Sequence, residues 1–339
     1  MSESSVYEET PIAAMNESSS LLSPLPASSY RSSYRIGTGK ELNMIKRFVT
    51  VFTRHLLQFV ILSQRSLRAT LRDKMFTYLR LATTILMALL LGLLYYKIGN
   101  DGSNVINNLG CIFFTLIYLI FICLMPTVLT FPMEKTVFIR EHLNNWYNIK
   151  AYYLAKTFSD LPFQILLPII YCLIMYYMSG QPTDFRRTYY FIQVVIMAVL
   201  VSQSIGLVLG AIAPNSEVAV FVAPVSGIPL LLFCGYFVRF SVIPIYFRWF
   251  TYVSYARYAW EGAVLSIYGN NRGNLECKIS PCMFNNGEEV LKFLDISEDA
   301  MGIKNFRLTF CIIMMGLFFI ILRLLAYIIL RATISNRKK

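Results

Sequence analysis

The reading of the chain turns on residues 131–164, FPMEKTVFIREHLNNWYNIKAYYLAKTFSDLPFQ. Glu134, Lys135, Arg140, Glu141 and His142 sit among Val137, Phe138, Ile139 and Leu143 at helical spacing, and Trp146, Tyr147, Tyr152 and Tyr153 then lead into an apolar run. A short amphipathic helix at a membrane face, an aromatic interfacial belt and a spanning helix account for that order of residues. The competing reading is an ordinary inter-helix loop with chance charges; the period of the apolar residues favours the helix.

Both flanks of this stretch are apolar, and so is the chain as a whole. Of its 339 residues 56% are hydrophobic and 15% charged, with a mean hydropathy of +0.54, whereas a soluble domain carries about 25% charge. This is the composition of a polytopic membrane protein. The net charge of +12 raises nucleic acid as a partner, but Lys and Arg stand beside apolar runs, where they anchor topology and meet anionic headgroups. No nucleic-acid-binding signature accompanies them.

A span needs roughly 20 apolar residues, and six segments qualify, near 76–97, 108–131, 153–178, 188–211, 217–238 and 307–330. A seventh stretch, 242–268, is interrupted by Pro244, Arg248, Arg257 and Glu261. It reads as a re-entrant or interfacial pair of helices, because each charge at mid-bilayer costs about 2.5–3.5 kcal/mol. Before the first span, within 46–74, Arg65, Arg68 and Arg72 share one helical face, extended by Arg54, opposite Leu56, Phe59, Val60, Leu67 and Leu71. This predicts an amphipathic connecting helix, lying on the cytoplasmic leaflet or packed on a soluble partner. Residues 1–45 are Ser-rich, with Pro24, Pro26, Gly37 and Gly39, and read as a disordered tail or linker without a signal peptide. The fold class is therefore all-α: six transmembrane helices, a connecting helix, and re-entrant helices before the last span.

Orientation follows from basic residues. Eight lie in 40–74, three in 132–150 and four from Arg331 onward, against Lys97, Arg186 and Arg187 in the short loops of the other side. Both termini are expected in the cytoplasm, with 239–305 outside. Cys277 and Cys282 then face the oxidising side with Pro281 between them. An intrachain bridge is favoured; two free thiols or a bridge to a second subunit stay open. Cys111, Cys123, Cys172, Cys234 and Cys311 fall in or near apolar segments and act as small hydrophobes.

Catalytic chemistry finds no support. The histidines are His55 and His142, and HExxH, CxxC and GxSxG are absent. Gly37-Thr38-Gly39-Lys40 ends like a phosphate loop but lacks the first glycine, the preceding strand and the Ser or Thr after lysine. No metal site and no ATP-splitting site is expected in this chain.

Residues 124–164, LMPTVLTFPMEKTVFIREHLNNWYNIKAYYLAKTFSDLPFQ, closely resemble the membrane half of White-type, G-subfamily ABC half-transporters. So do LRDKMFTYLR (71–80), IGLVLGAIAPN (205–215), IPLLLFCGYFV (228–238) and YVSYARYAWEGAVLSIYG (252–269). The likeness runs from about residue 46 to the C terminus and is nearest to the animal sterol and lipid exporters. It implies a type-2 ABC exporter membrane domain in which 56–73 is the connecting helix and 134–145 form the coupling helices that rest on an ATPase domain. Glu134, Arg140 and Glu141 are the candidate contacts there; a solvated charged face is the rival reading. It also implies a cavity between two copies of the domain, lined by Phe114, Tyr118 and Phe121 of span two and Pro224, Ile228 and Leu231 of span five. Tyr236 and Phe237 would close that cavity as an outer valve. Taken alone, an aromatic stripe at i, i+4, i+7 equally suits lipid-facing or core packing, and Tyr236 and Phe237 equally suit an interface.

Family members carry an ATP-binding domain where this chain has its first 45 residues. ATP and Mg are thus expected through partner nucleotide-binding domains, in a homo- or heterodimer with another half-transporter. The implied function is export of a sterol, phospholipid or other hydrophobic compound, at the plasma membrane or an endosomal one. A non-transporting regulatory subunit, a truncated isoform that dimerises with complete half-transporters, is the alternative. Within the spans, Gly206-xxx-Gly210 predicts a close helix contact inside one subunit. Arg323 is expected to snorkel to the cytoplasmic face, or else to pair with an acid such as Asp160.

Overall fold

A computed structural model describes residues 42–72, 74–144, 146–269, 272–277, 282–296 and 306–338. Residues 1–41 of the expected tail, the Gly37–Lys40 sequence included, lie outside them. The chain divides into two compact units, Met1–Arg54 and His55–Lys339. Of the first, the described part is the beginning of helix α1 (Leu42–Arg72). The second unit holds the rest of α1 and every later helix.

From His55 onward, α1 exposes Arg65, Arg68 and Arg72 as its amphipathic pattern requires. Its apolar face is only partly covered: Phe59 meets Phe158 edge-on at 5.4 Å, while Leu56, Val60 and Leu71 stay exposed. Then come α2 (Lys74–Leu94), α3 (Val105–Leu143), α4 (Ile149–Met178), α5 (Phe185–Ile212) and α6 (Ser216–Leu232). Two single 3-10 turns lead to α7 (Arg248–Val253), α8 (Tyr255–Tyr268), α9 (Gly287–Phe293) and α10 (Phe306–Lys338). Among the described residues five helices, α2 to α5 and α10, are long and apolar enough to cross a membrane.

Three spans differ clearly from their expected bounds; the sixth, expected over 307–330, runs on as α10 to Lys338. The fifth, expected over 217–238, ends at Leu232 after 17 residues. Phe233 and Cys234 close its end on Pro229 O and Leu231 O, and Gly235 then turns the chain at φ +101°, a backbone geometry that glycine adopts without steric cost. The second is longer than expected. The charged residues 134–143 form no separate in-plane helix but continue α3 without a break through Pro126 and Pro132, for 39 residues in all. Tertiary packing holds the extension: Phe138 and Ile139 are buried with Tyr153 of α4, Leu207 of α5, and Leu330 and Ile334 of α10. Inside a bundle, neighbouring helices compensate the donors that proline removes.

The helix α5 is the hub. Two-thirds of its apolar window is buried, against 17% for α10. It packs on α3 through the expected glycines: a Cβ on Gly206 would lie 3.2 Å from Leu124 O, and one on Gly210 3.1 Å from Phe131. Ser202 Oγ donates to Ile120 O across the same contact at 2.8 Å. On its other side Gly262 of α8 leaves room for Val194, 3.1 Å from where a Cβ would stand.

The stretch 242–268 does fold as paired helices, α7 and α8. Two of its charges, Arg257 and Glu261, are buried, and Arg248 is half-buried. Glu261 accepts from Arg257 Nε at 2.7 Å and from Arg307 Nη2 of α10 at 2.9 Å, and Arg257 also lies 4.5 Å above the Phe240 ring. A charge count along the sequence carries no information about this pairing.

Candidate functional site

At one end of α3 the chain builds an aromatic cluster. Gly235 aims Tyr236 back at the bundle, where its ring stacks on Phe113 at 4.1 Å and meets Trp260 of α8 at 5.2 Å. Phe237 meets Phe113 edge-on at 5.0 Å but remains 60% exposed. Tyr236 and Phe237 thus share one partner, Phe113, which residue periodicity passes over in favour of Phe114. Consecutive residues on a helix point about 100° apart, so the two phenylalanines cannot serve one face. Phe113 is buried and Phe114 is 49% exposed.

The six expected cavity residues do not form one wall within the chain. Tyr118 turns toward α4 and stacks on Tyr171 at 5.2 Å. Phe121 packs beside Leu124, Val128 and Ala219, and Pro224 and Leu231 are half-buried. Phe114 and Ile228 are exposed. What α6 leaves uncovered is a stripe, Phe221, Val225, Ile228 and Leu232, all at least 46% exposed. Their i, i+4, i+7, i+11 spacing marks a single face, a signal that was available in the sequence.

At its other end α3 enters a polar chain. Glu134 binds Lys156 at 2.8 Å, Lys156 binds Asp160 at 3.3 Å, and Asp160 accepts from Gln203 Nε2 at 3.1 Å. Gln203 Oε1 in turn accepts from Arg323 Nη2. Arg323 also donates to Ser204 Oγ and Thr157 Oγ1, each at 3.1 Å. It is 7% exposed, so the expected snorkelling does not occur. Its link to Asp160 runs through Gln203, and the hydroxyls and amide of α4 and α5 take one hydrogen bond from each guanidinium nitrogen within the bundle. Four helices, α3, α4, α5 and α10, are joined in one line. Nearby, buried Lys135 donates to Ala211 O and Ala213 O, both at 2.9 Å, which satisfies carbonyls that the end of α5 leaves open.

Beyond this line Glu141 pairs with Arg65 of α1 at 3.0 Å and accepts from Tyr147 Oη. Burial, with the Glu141 carboxylate beside it, pushes the Tyr147 phenol well above its ordinary range, so it stays a donor. The hydrogen bond from Arg65 to Glu141 holds the guanidinium in its charged form. Of the three expected contact residues, Glu134 and Glu141 are therefore engaged inside the chain. Arg140 is exposed and has no ion pair among the described residues. Cys277 and Cys282 are joined in a disulfide with Cα atoms 5.9 Å apart.

The family model described as "ABC-2 type transporter" matches residues 57–268, which run from α1 through α8. The chain belongs to the ABC-2 type transporter family. A relative from Caenorhabditis elegans, the ABC transporter ATP-binding protein/permease wht-1, is 30% identical over 281 residues, 80% of this chain and 41% of that protein. ABC transporter G family member 1 of Dictyostelium discoideum is 33% identical over 217 residues, 63% of this chain and 27% of its own length. The white protein of Drosophila melanogaster is 28% identical over 277 residues, 81% of this chain and 39% of its own. The chain thus spans less than half the length of each, and the matched part is an ABC-2 membrane domain of the White and G-family kind.

Proposed function

We propose that this ABC-2 domain works as the membrane half of a dimeric G-type half-transporter that exports a sterol, lipid or other hydrophobic compound. ATP is hydrolysed in nucleotide-binding domains that rest on the α3–α4 end. Both termini lie on that cytoplasmic side. The observation that carries this reading is the unbroken α3. From Phe114 to Arg140 it spans about 39 Å at 1.5 Å per residue, so one rigid element joins the apolar face beside α6 to the charged end.

The mechanism follows from that geometry. A push on Arg140 moves α3 as a body, because Lys135 ties it to the end of α5 and Glu134 ties it to α4 through Lys156. The shift reaches Phe113 and so the stack with Tyr236 and Phe237, which act as the outer valve. The uncovered stripe of α6, with Phe114, faces the second copy and lines the cavity for cargo. ATP binding must favour the outward-open state over the inward-open one, and the α3 end is where that preference is delivered.

The test is Arg140→Glu in the ATP-hydrolysing complex reconstituted in vesicles. The expected result is a protein that folds and hydrolyses ATP but moves no sterol or lipid. Unchanged transport would remove Arg140 from the coupling surface.

A further inference from the structure

The end of α1 and the facing sides of α2, α3 and α4 enclose a half-open cavity of 240 Å³. Its wall includes Glu134, Lys156 and Asp160, which satisfy one another. It also includes two side chains that are not satisfied. Among the described residues Arg80 Nε is buried without a partner, and a hydrogen bond of the guanidinium runs from Nη2 to Cys123 Sγ, a weak acceptor, at 3.5 Å. Gln164 is 2% exposed, and its Oε1 receives no donor among the described residues.

Buried polar atoms are normally paired; Arg80 is half-buried, with Nε as its enclosed and unpaired atom, and Gln164 is buried whole with Oε1 unpaired, among the described residues. Two things are missing: an anionic oxygen for Arg80, and an N–H or O–H for Gln164. The place narrows the source. Arg80 lies six residues into α2, about 9 Å along its axis, and three residues into the apolar stretch Thr77–Leu94. That is the depth at which lipid headgroups meet acyl chains. Leu79 and Leu86 on the same helix are 60% and 63% exposed, an apolar surface for the chains of a bound lipid.

We propose that this cavity binds a phospholipid headgroup that carries a hydrogen-bond donor, with Arg80 on the phosphate and Gln164 on the donor. Ethanolamine and glycerol headgroups meet both demands; choline, which has no N–H or O–H, meets only the first. The site requires neither ATP nor cargo and is separate from the α6 stripe.

Native mass spectrometry of the full chain tests it, after purification in detergent, delipidation and addition of phosphatidylethanolamine, phosphatidylglycerol, phosphatidylcholine or inorganic phosphate. One phosphatidylethanolamine or phosphatidylglycerol should be retained per chain under conditions that strip phosphatidylcholine. Arg80→Gln and Gln164→Leu should each weaken retention about tenfold or more, as expected for the loss of one buried hydrogen bond to a charged or desolvated group. Arg80→Lys should recover part of it. Circular dichroism and a monodisperse elution profile identify folded variants, and Gln164→Leu decides alone should Arg80→Gln fail to fold. Equal retention of choline lipid, or variants that hold lipid as the parent does, would overturn the proposal. Displacement of the lipid by inorganic phosphate at matched concentration would overturn the lipid source and leave a soluble anion as ligand.

Discussion

Helix α10 carries two buried or half-buried arginines, Arg307 and Arg323, and their surroundings differ in kind. They stand 16 residues apart, about 24 Å along the axis. Arg307 closes a compact cluster: Glu261, with its side chain 9% exposed, takes donors from both Arg307 and Arg257. Arg323 ends a line that runs through Gln203, Asp160 and Lys156 to Glu134, whose side chain is 39% exposed. The closed cluster admits one arrangement, since any rotation of Glu261 leaves a guanidinium unpaired. The open line is looser at one point: Lys156 sits between two carboxylates and can shift between them, while Gln203 is held in one orientation, donating from Nε2 to Asp160 and accepting at Oε1 from Arg323. One region fastens α8 to α10; the other can pass a displacement between helices.

The comparison breaks most visibly at its closed end. Glu261→Gln removes the anion between two cations, and about 3–5 kcal/mol of stability should go with it. Thermal unfolding in detergent reads this directly, and a melting temperature close to the parent's would show that the cluster does not fasten the two helices. Next in size is Lys135→Met, which strips the end of α5 of a charged donor. About 1.5–3 kcal/mol is expected, and α6 should be released as well, seen as faster hydrogen exchange at Ser216–Leu232 than elsewhere.

Arg323→Met sharpens the contrast. The groups left behind, Gln203, Ser204 and Thr157, are neutral, so the loss should be about 1–2 kcal/mol. In the reconstituted complex, transport should fall much further than ATP hydrolysis. A parallel fall in both would make the line merely structural. The smallest effect belongs to Arg65 and Glu141, since Arg65 has a side chain 59% exposed. A double-mutant cycle with Arg65→Gln and Glu141→Gln should return a coupling below about 1 kcal/mol that shrinks with added salt. A coupling insensitive to salt would place the pair with the buried clusters instead.

Much of this architecture is legible along the chain, and for local reasons. Apolar runs long enough for a bilayer identify α2, α3, α4, α5 and α10, and the small residues Gly206 and Gly210 announce where α5 meets α3. The paired helices after Pro244 are legible too, because Arg257 and Glu261 interrupt the run. Less legible is the site. Phe114 and Phe113 are equivalent in composition, and only the rotation of α3 against α8 selects Phe113 as the partner of Tyr236. Residues 134–143 look like an in-plane helix because their period is amphipathic, yet that same period lets Phe138 and Ile139 bury themselves against α10 as an extension of α3.

By itself, then, the sequence determines a many-helix membrane protein of the ABC-2 kind, the disulfide-capable Cys277 and Cys282, and the polar stretch around which the bundle is built. Those properties depend on hydropathy, spacing and short-range order, which act within a few residues of one another. Tertiary structure alone decides which charges are partners. Glu261 finds Arg307 across 46 positions, and Gln203 finds Arg323 across 120. A side chain's charge is written locally, but in a low-dielectric interior its cost or benefit is settled by whatever the fold sets within about 3 Å of it.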